Sequence, residues 1–132
     1  MSTLRVSTIQ DTAGSNSSTP SEVFSGRAKA WVAINGVGTA TIRGSYSVSS
    51  IVDQGVGDYS VNYSITMPNT NYLILLGVDD NGAPYNATTS LNGACVRNGF
   101  TTTTGTRLTN SGVNPGSYRV LIDAGYISCA IF

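Results

Sequence analysis

Residues 59–66 read Tyr59-Ser60-Val61-Asn62-Tyr63-Ser64-Ile65-Thr66, a strict alternation of large apolar or aromatic side chains with small polar ones. A period of two places Tyr59, Val61, Tyr63 and Ile65 on one face of an extended chain and the polar residues on the other. That is a β-strand with one face in a core. Just before it, residues 53–58 (DQGVGD) form a Gly-containing turn, and Tyr46, Val48 and Ser50 alternate with Ser47, Ser49 and Ile51. The spacing predicts a hairpin.

The same grammar runs outward in both directions. Residues 28–34 (AKAWVAI) and 39–43 (TATIR) flank Asn35-Gly36-Val37-Gly38 and predict a second hairpin. On the other side, Pro68 cannot donate to a ladder, so residues 67–71 break the sheet. The fully apolar run 72–78 (YLILLGV) then reads as the most buried strand. Asp79-Asp80-Asn81-Gly82 reads as a turn, and it lacks the ligand spacing of a calcium loop. Further strands are expected at 94–97, 100–108, 117–123 and 126–132. No helix longer than a turn is expected, the best candidate being residues 21–24 after Pro20. Eight or nine short strands at intervals of roughly 10 residues predict an all-β domain of β-sandwich or jelly-roll type.

Composition agrees. Ser and Thr make up about a quarter of the 132 residues, Gly accounts for 15, and Glu22 and Lys29 are the sole examples of their types. A chain of 13.7 kDa is one domain. Residues 1–25 stand apart: Leu4, Val6 and Ile9 offer a little apolar surface, and 11–21 (DTAGSNSSTPS) is a polar stretch unable to order itself. They read as an N-terminal attachment arm, leaving 26–132 as the β domain.

Charge excludes several functions. Seven Lys+Arg balance seven Asp+Glu and histidine is absent, so imidazole-based triads, His-ligated zinc and imidazole proton shuttles are out of reach. A neutral chain with scattered basic groups has no footprint for nucleic acid or an anionic membrane surface. The run 72–78 is far short of the ~20 residues of a membrane helix, and the opening MSTLRVSTIQ lacks the order of a signal peptide. The carboxylates sit mostly in turns, which argues against a paired glycosidase site. The expectation is a non-enzyme without cofactor or metal. Cys95 and Cys129 lie in apolar stretches and read first as buried free thiols, with a mutual disulfide as the second reading.

The run 28–72 contains Ala28-x-Ala30-Trp31-Val32, Asn35-Gly36-x-Gly38-Thr39, the stretch Ser45 to Ile51, and Gly55-x-Gly57-Asp58-Tyr59-x-Val61-Asn62-Tyr63, followed by Met67-Pro68-Asn69 and Asn71-Tyr72. This string resembles a module of tail-fibre and other virion proteins of bacteriophages, many from aquatic and cyanobacterial hosts. The opening TLRVSTIQDTAG is similar to the phrase that begins the structural arms of such proteins. The resemblance implies a short trimeric tail fibre in the virion, made in the bacterial host cytoplasm. Its arm would attach to other tail, baseplate or capsid proteins through Leu4, Val6 and Ile9, and its β domain would face the host surface and its glycans. The chain has no shaft, collagen-like repeat or heptad, so a capsid decoration protein or head fibre is the alternative.

Two aromatics are candidate contacts. Trp31 shares its strand face with Lys29, Ala33 and Asn35. Core packing is the default reading of a lone tryptophan, ahead of a subunit interface and of ligand stacking. Tyr85, in the polar loop 81–92, is the best candidate for an exposed aromatic at a receptor. The loops 81–92 and 110–117 are expected to face outward.

Overall fold

The computed structural model describes residues 2–14, 17–78, 93–113 and 119–132. The fold is all-β, with three antiparallel sheets. A small ladder joins β1 (Ile9–Gln10) to β2 (Ser17–Ser18), and the helix α1 (Pro20–Gly26) follows. Next come β3 (Ala30–Asn35) and β4 (Thr41–Tyr46), the first predicted hairpin. β5 (Val48–Gly55) and β6 (Asp58–Tyr63) make the second. The chain continues through β7 (Ile74–Val78), β8 (Gly93–Val96), β9 (Gly105–Val113), β10 (Arg119–Leu121) and β11 (Ile127–Ile131).

One larger sheet has the order β4-β3-β11-β7. The other runs β10-β9-β6-β5, with β8 also paired to β9. Leu108 on β9 pairs with Tyr59 of β6 and Val96 of β8, so those two strands flank β9 on opposite edges. The two sheets share one core. Ala30, Val32 and Ile34 of β3 and Ile127, Cys129 and Ile131 of β11 meet Tyr59, Val61 and Tyr63 of β6 and Leu108 of β9. Each such apolar side chain, fully buried, contributes about 1.5–3 kcal/mol against exposure. The inward face predicted for Tyr59, Val61 and Tyr63 is the observed one.

Chain reversals determine where the sheets meet. Ser47, at φ 53°, carries the chain from β4 into β5 and so from one sheet to the other, and its carbonyl accepts the Ser64 amide at 3.0 Å. The second hairpin turns tighter than predicted. β5 continues to Gly55, leaving Val56 and Gly57 as the turn, because Gly57 takes φ +63° where a Cβ would fall 2.5 Å from the Asn110 carbonyl.

Several expectations are corrected. The run 72–78 is not the most buried strand: among the described residues β7 is an edge paired only to β11, with Leu73 and Leu75 exposed. An apolar run fills both faces only where both are covered, and among the described residues one is open. The threonine stretch 101–104 is a turn before β9, closed by a bridge between Thr102 and Gly105. Residues 110–113 belong to β9 rather than to an outward loop, and Asn110 is buried with its amide donating to the Ile122 carbonyl at 3.0 Å. The helix spans seven residues, two turns rather than one, because Thr19 and Glu22 form a capping box around Pro20 at the first position. Cys95 and Cys129 are both free, Cys129 buried and Cys95 exposed.

Candidate functional site

The outer face of the β4-β3-β11-β7 sheet carries the main candidate surface. Strand register aligns Tyr46, Trp31, Ala130 and Leu75 across the four strands, with Gly44, Ala33, Ser128 and Gly77 as the next row. Trp31 is 42% exposed, Tyr46 52% and Leu75 51%. Core packing of Trp31 is therefore overturned: alternation along β3 turns it away from Val32 and Ile34, and among the described residues no layer covers the sheet's second face. The indole lies over Gly44. A Cβ there would sit 3.5 Å from the Trp31 six-membered ring, in ordinary contact, and the ring rests across β4 at that residue.

Between Trp31 and Leu75 the small second row leaves a groove of about 320 Å³, also lined by Tyr126. A register shift between Ala33 and Ile34 leaves Arg43 without a partner on β3. Its guanidinium donates to the Gly125 carbonyl at 2.9 Å and stands 6.0 Å from the Tyr126 ring. The face is thus aromatic and apolar, with one cation at its edge.

The arm presents a second surface. Leu4, Val6 and Ile9 do come together, with Pro20, Val23 and Phe24 of α1, around a groove of about 440 Å³ flanked by Arg5 and Arg27. All of these apolar residues except Pro20 are large side chains left exposed, Leu4 most of all at 86%. The helix exists because its first turn is closed at both ends: the Glu22 amide donates to Thr19 Oγ1 at 3.2 Å, and the Thr19 amide donates to Glu22 Oε2 at 2.6 Å. That backbone N–H holds the Glu22 carboxyl below its ordinary value. At the other end Lys29 Nζ donates to the Phe24 and Arg27 carbonyls, tying α1 to the start of β3.

The principal carboxylates hold the framework. Asp58, buried on β6, takes Arg107 bidentately at 2.7 Å for each bond and Arg97 on the same carboxylate. Arg107 chiefly, with Arg97 behind it, holds the Asp58 carboxyl below the usual carboxylate range. The exposed Phe100 ring lies beside both guanidinium groups, its centroid 5.3 Å from Arg97 and 4.9 Å from Arg107. Asp53 accepts the Ala40 and Gly55 amides, each at 3.0 Å. These contacts fasten turns and strands to one another.

Tyr85 and the loop 81–92 lie outside the described residues, as do 114–117 of the other predicted loop. Tyr46, Leu75 and Tyr126 were not singled out from the sequence. The signal for Tyr46 and Leu75 is register, since only the pairing of Trp31 with Tyr46 and of Ala130 with both Trp31 and Leu75 shows that they share a row, while Tyr126 joins them only as groove lining. No protein family matches the chain, and neither a curated protein nor a solved structure matches it.

Proposed function

We propose that the chain is a structural protein of a bacteriophage particle. In this reading it is a short fibre whose β-sandwich domains associate as a homotrimer, whose arm docks on the particle, and whose outer surface meets the host. The observation that carries it is the exposed row Tyr46, Trp31 and Leu75 over small residues. Apolar and aromatic side chains without charge at their centre are the composition of subunit contacts, and small residues let a second backbone approach closely. The apolar cluster of Leu4, Val6 and Ile9 with α1 supplies a separate docking surface for the particle. Cyclic repetition would multiply weak outward contacts by avidity.

Labelling the protein in assembled particles and imaging them by electron microscopy tests the reading. Density on the tail is the expected result. Density confined to the head lattice would replace the fibre with a capsid decoration protein. A chain lacking residues 1–25 should fold and stay out of the particle; its incorporation would remove the role assigned to the arm.

A further inference from the structure

Four Asn-Gly pairs occur in the chain, and two of them, Asn35-Gly36 and Asn98-Gly99, lie wholly within the described residues. We propose that Asn98 is a site of spontaneous deamidation, which converts a neutral carboxamide to a carboxylate on the surface of the native protein. The inference stands apart from the phage reading, because it needs only the chain and water.

The Gly99 backbone nitrogen, on losing its proton to solvent hydroxide, attacks Asn98 Cγ. A C–N bond forms, the bond from Cγ to the side-chain nitrogen breaks, and ammonia leaves with a proton taken from water. Water then adds to one or other carbonyl of the cyclic imide, giving aspartate or isoaspartate. The attack needs a backbone nitrogen not engaged elsewhere, a carboxamide free to turn towards it, and no Cβ on the following residue to crowd the approach.

Asn98-Gly99 meets all three conditions. The pair forms a turn after β8, closed by the Phe100 amide donating to the Arg97 carbonyl at 3.3 Å. Both residues are exposed, and among the described residues neither the Gly99 amide nor the Asn98 carboxamide has a hydrogen-bond partner. Gly99 takes φ +80°, with open space where a Cβ would stand. Asn35-Gly36 is the internal contrast. The buried Gly36 donates its amide to the Ala124 carbonyl at 2.9 Å, and Asn35 is held in β3 by pairing with Thr41. Reaction at Asn35 therefore waits on local opening of the fold.

The new charge arises next to a surplus of cations. Two guanidinium groups, of Arg97 and Arg107, share the one carboxylate of Asp58, and Arg97 directly precedes Asn98. Conversion takes the chain from a formal net charge of zero to minus one. The isoaspartyl product also adds a methylene to the main chain of the turn, which displaces the Phe100 amide from the Arg97 carbonyl.

Ageing the full chain at pH 8, native and in guanidinium chloride, followed by peptide mapping with tandem mass spectrometry, tests the site. In the native protein Asn98 should convert at least about tenfold faster than Asn35, and unfolding should bring the two rates within about threefold of each other. Gly99→Ala should slow conversion of Asn98 about tenfold or more, with circular dichroism confirming the strands. Native Asn98 that stays intact while the unfolded chain converts, or that converts no faster than native Asn35, overturns the proposal. Conversion at the wild-type rate in Gly99→Ala would do the same.

Discussion

The buried hydroxyl of Tyr59 donates to Asp123 Oδ1 at 2.8 Å, joining β6 to the turn before β11. The same carboxylate oxygen receives the Gly57 amide at 2.8 Å, so one acceptor fastens the hairpin turn and the core tyrosine together. Burial, and after it the Asp123 carboxylate, push the Tyr59 pKa well above its ordinary value, which keeps the phenol a donor throughout the accessible pH range. Tyr59→Phe keeps the ring in the core and loses the bond. Stability should fall by about 1–2 kcal/mol, read as a lower denaturant midpoint at unchanged slope. An unchanged midpoint would show that the pair contributes nothing.

Acid should act through Asp58. Its folded pKa lies below the value of about 4 it has in an unfolded chain, so its contribution is complete above that pH and is lost as pH falls through the folded value. Asp58→Asn should cost about 1–3 kcal/mol at neutral pH, since Arg97 and Arg107 then face one another without an anion. It should also flatten the decline of stability below pH 4. Denaturation curves at pH 7 and pH 3 for both proteins check the sign, and parallel declines would assign the acid sensitivity elsewhere.

Assembly should depend on the sheet face. Trp31→Ala is expected to weaken self-association by about 2 kcal/mol or more, the cost typical of a central interfacial tryptophan. Tyr46→Ser should act in the same direction. Sedimentation velocity over a range of concentrations reads the change, while circular dichroism confirms that the strands remain. Wild-type chain that stays monomeric at high concentration would sink the trimer.

The two thiols should separate cleanly. Burial pushes the Cys129 thiol up to about 12, whereas Cys95 is exposed beside Thr109 Oγ1 at 2.9 Å. A disulfide reagent at pH 8 should modify Cys95 in the native protein and reach Cys129 only on unfolding. Equal rates for both would contradict the burial of β11.

Strand identity was legible where alternation was strict. Tyr59, Val61 and Tyr63 announce an inward face, and the two hairpins follow from the glycine-bearing turns beside them. What alternation does not report is whether a sheet has anything on its second face. Alternation gives the side of β3 on which Trp31 lies, yet no layer of the described residues covers that side, and the indole is exposed. The run 72–78 failed for the same reason, since Leu75 is apolar but lies on an edge strand. Of the candidate contacts, Leu4, Val6 and Ile9 were visible as isolated apolar residues. Their grouping with Val23 and Phe24 depends on a helix whose Thr19-x-x-Glu22 capping pattern was readable but weak against the surrounding polar sequence.

The position of β3 bears on how the domain withstands force. The Lys29 amide bonds the Ile131 carbonyl just before β3 begins, and that strand is flanked by β4 on one side and β11 on the other. Tension applied through residues 1–25 would pull β3 along its length between two ladders. Their hydrogen bonds, perpendicular to the strand, are loaded together in shear instead of being unzipped singly. The N-terminal segment thus enters an inner strand of the sheet and not its edge.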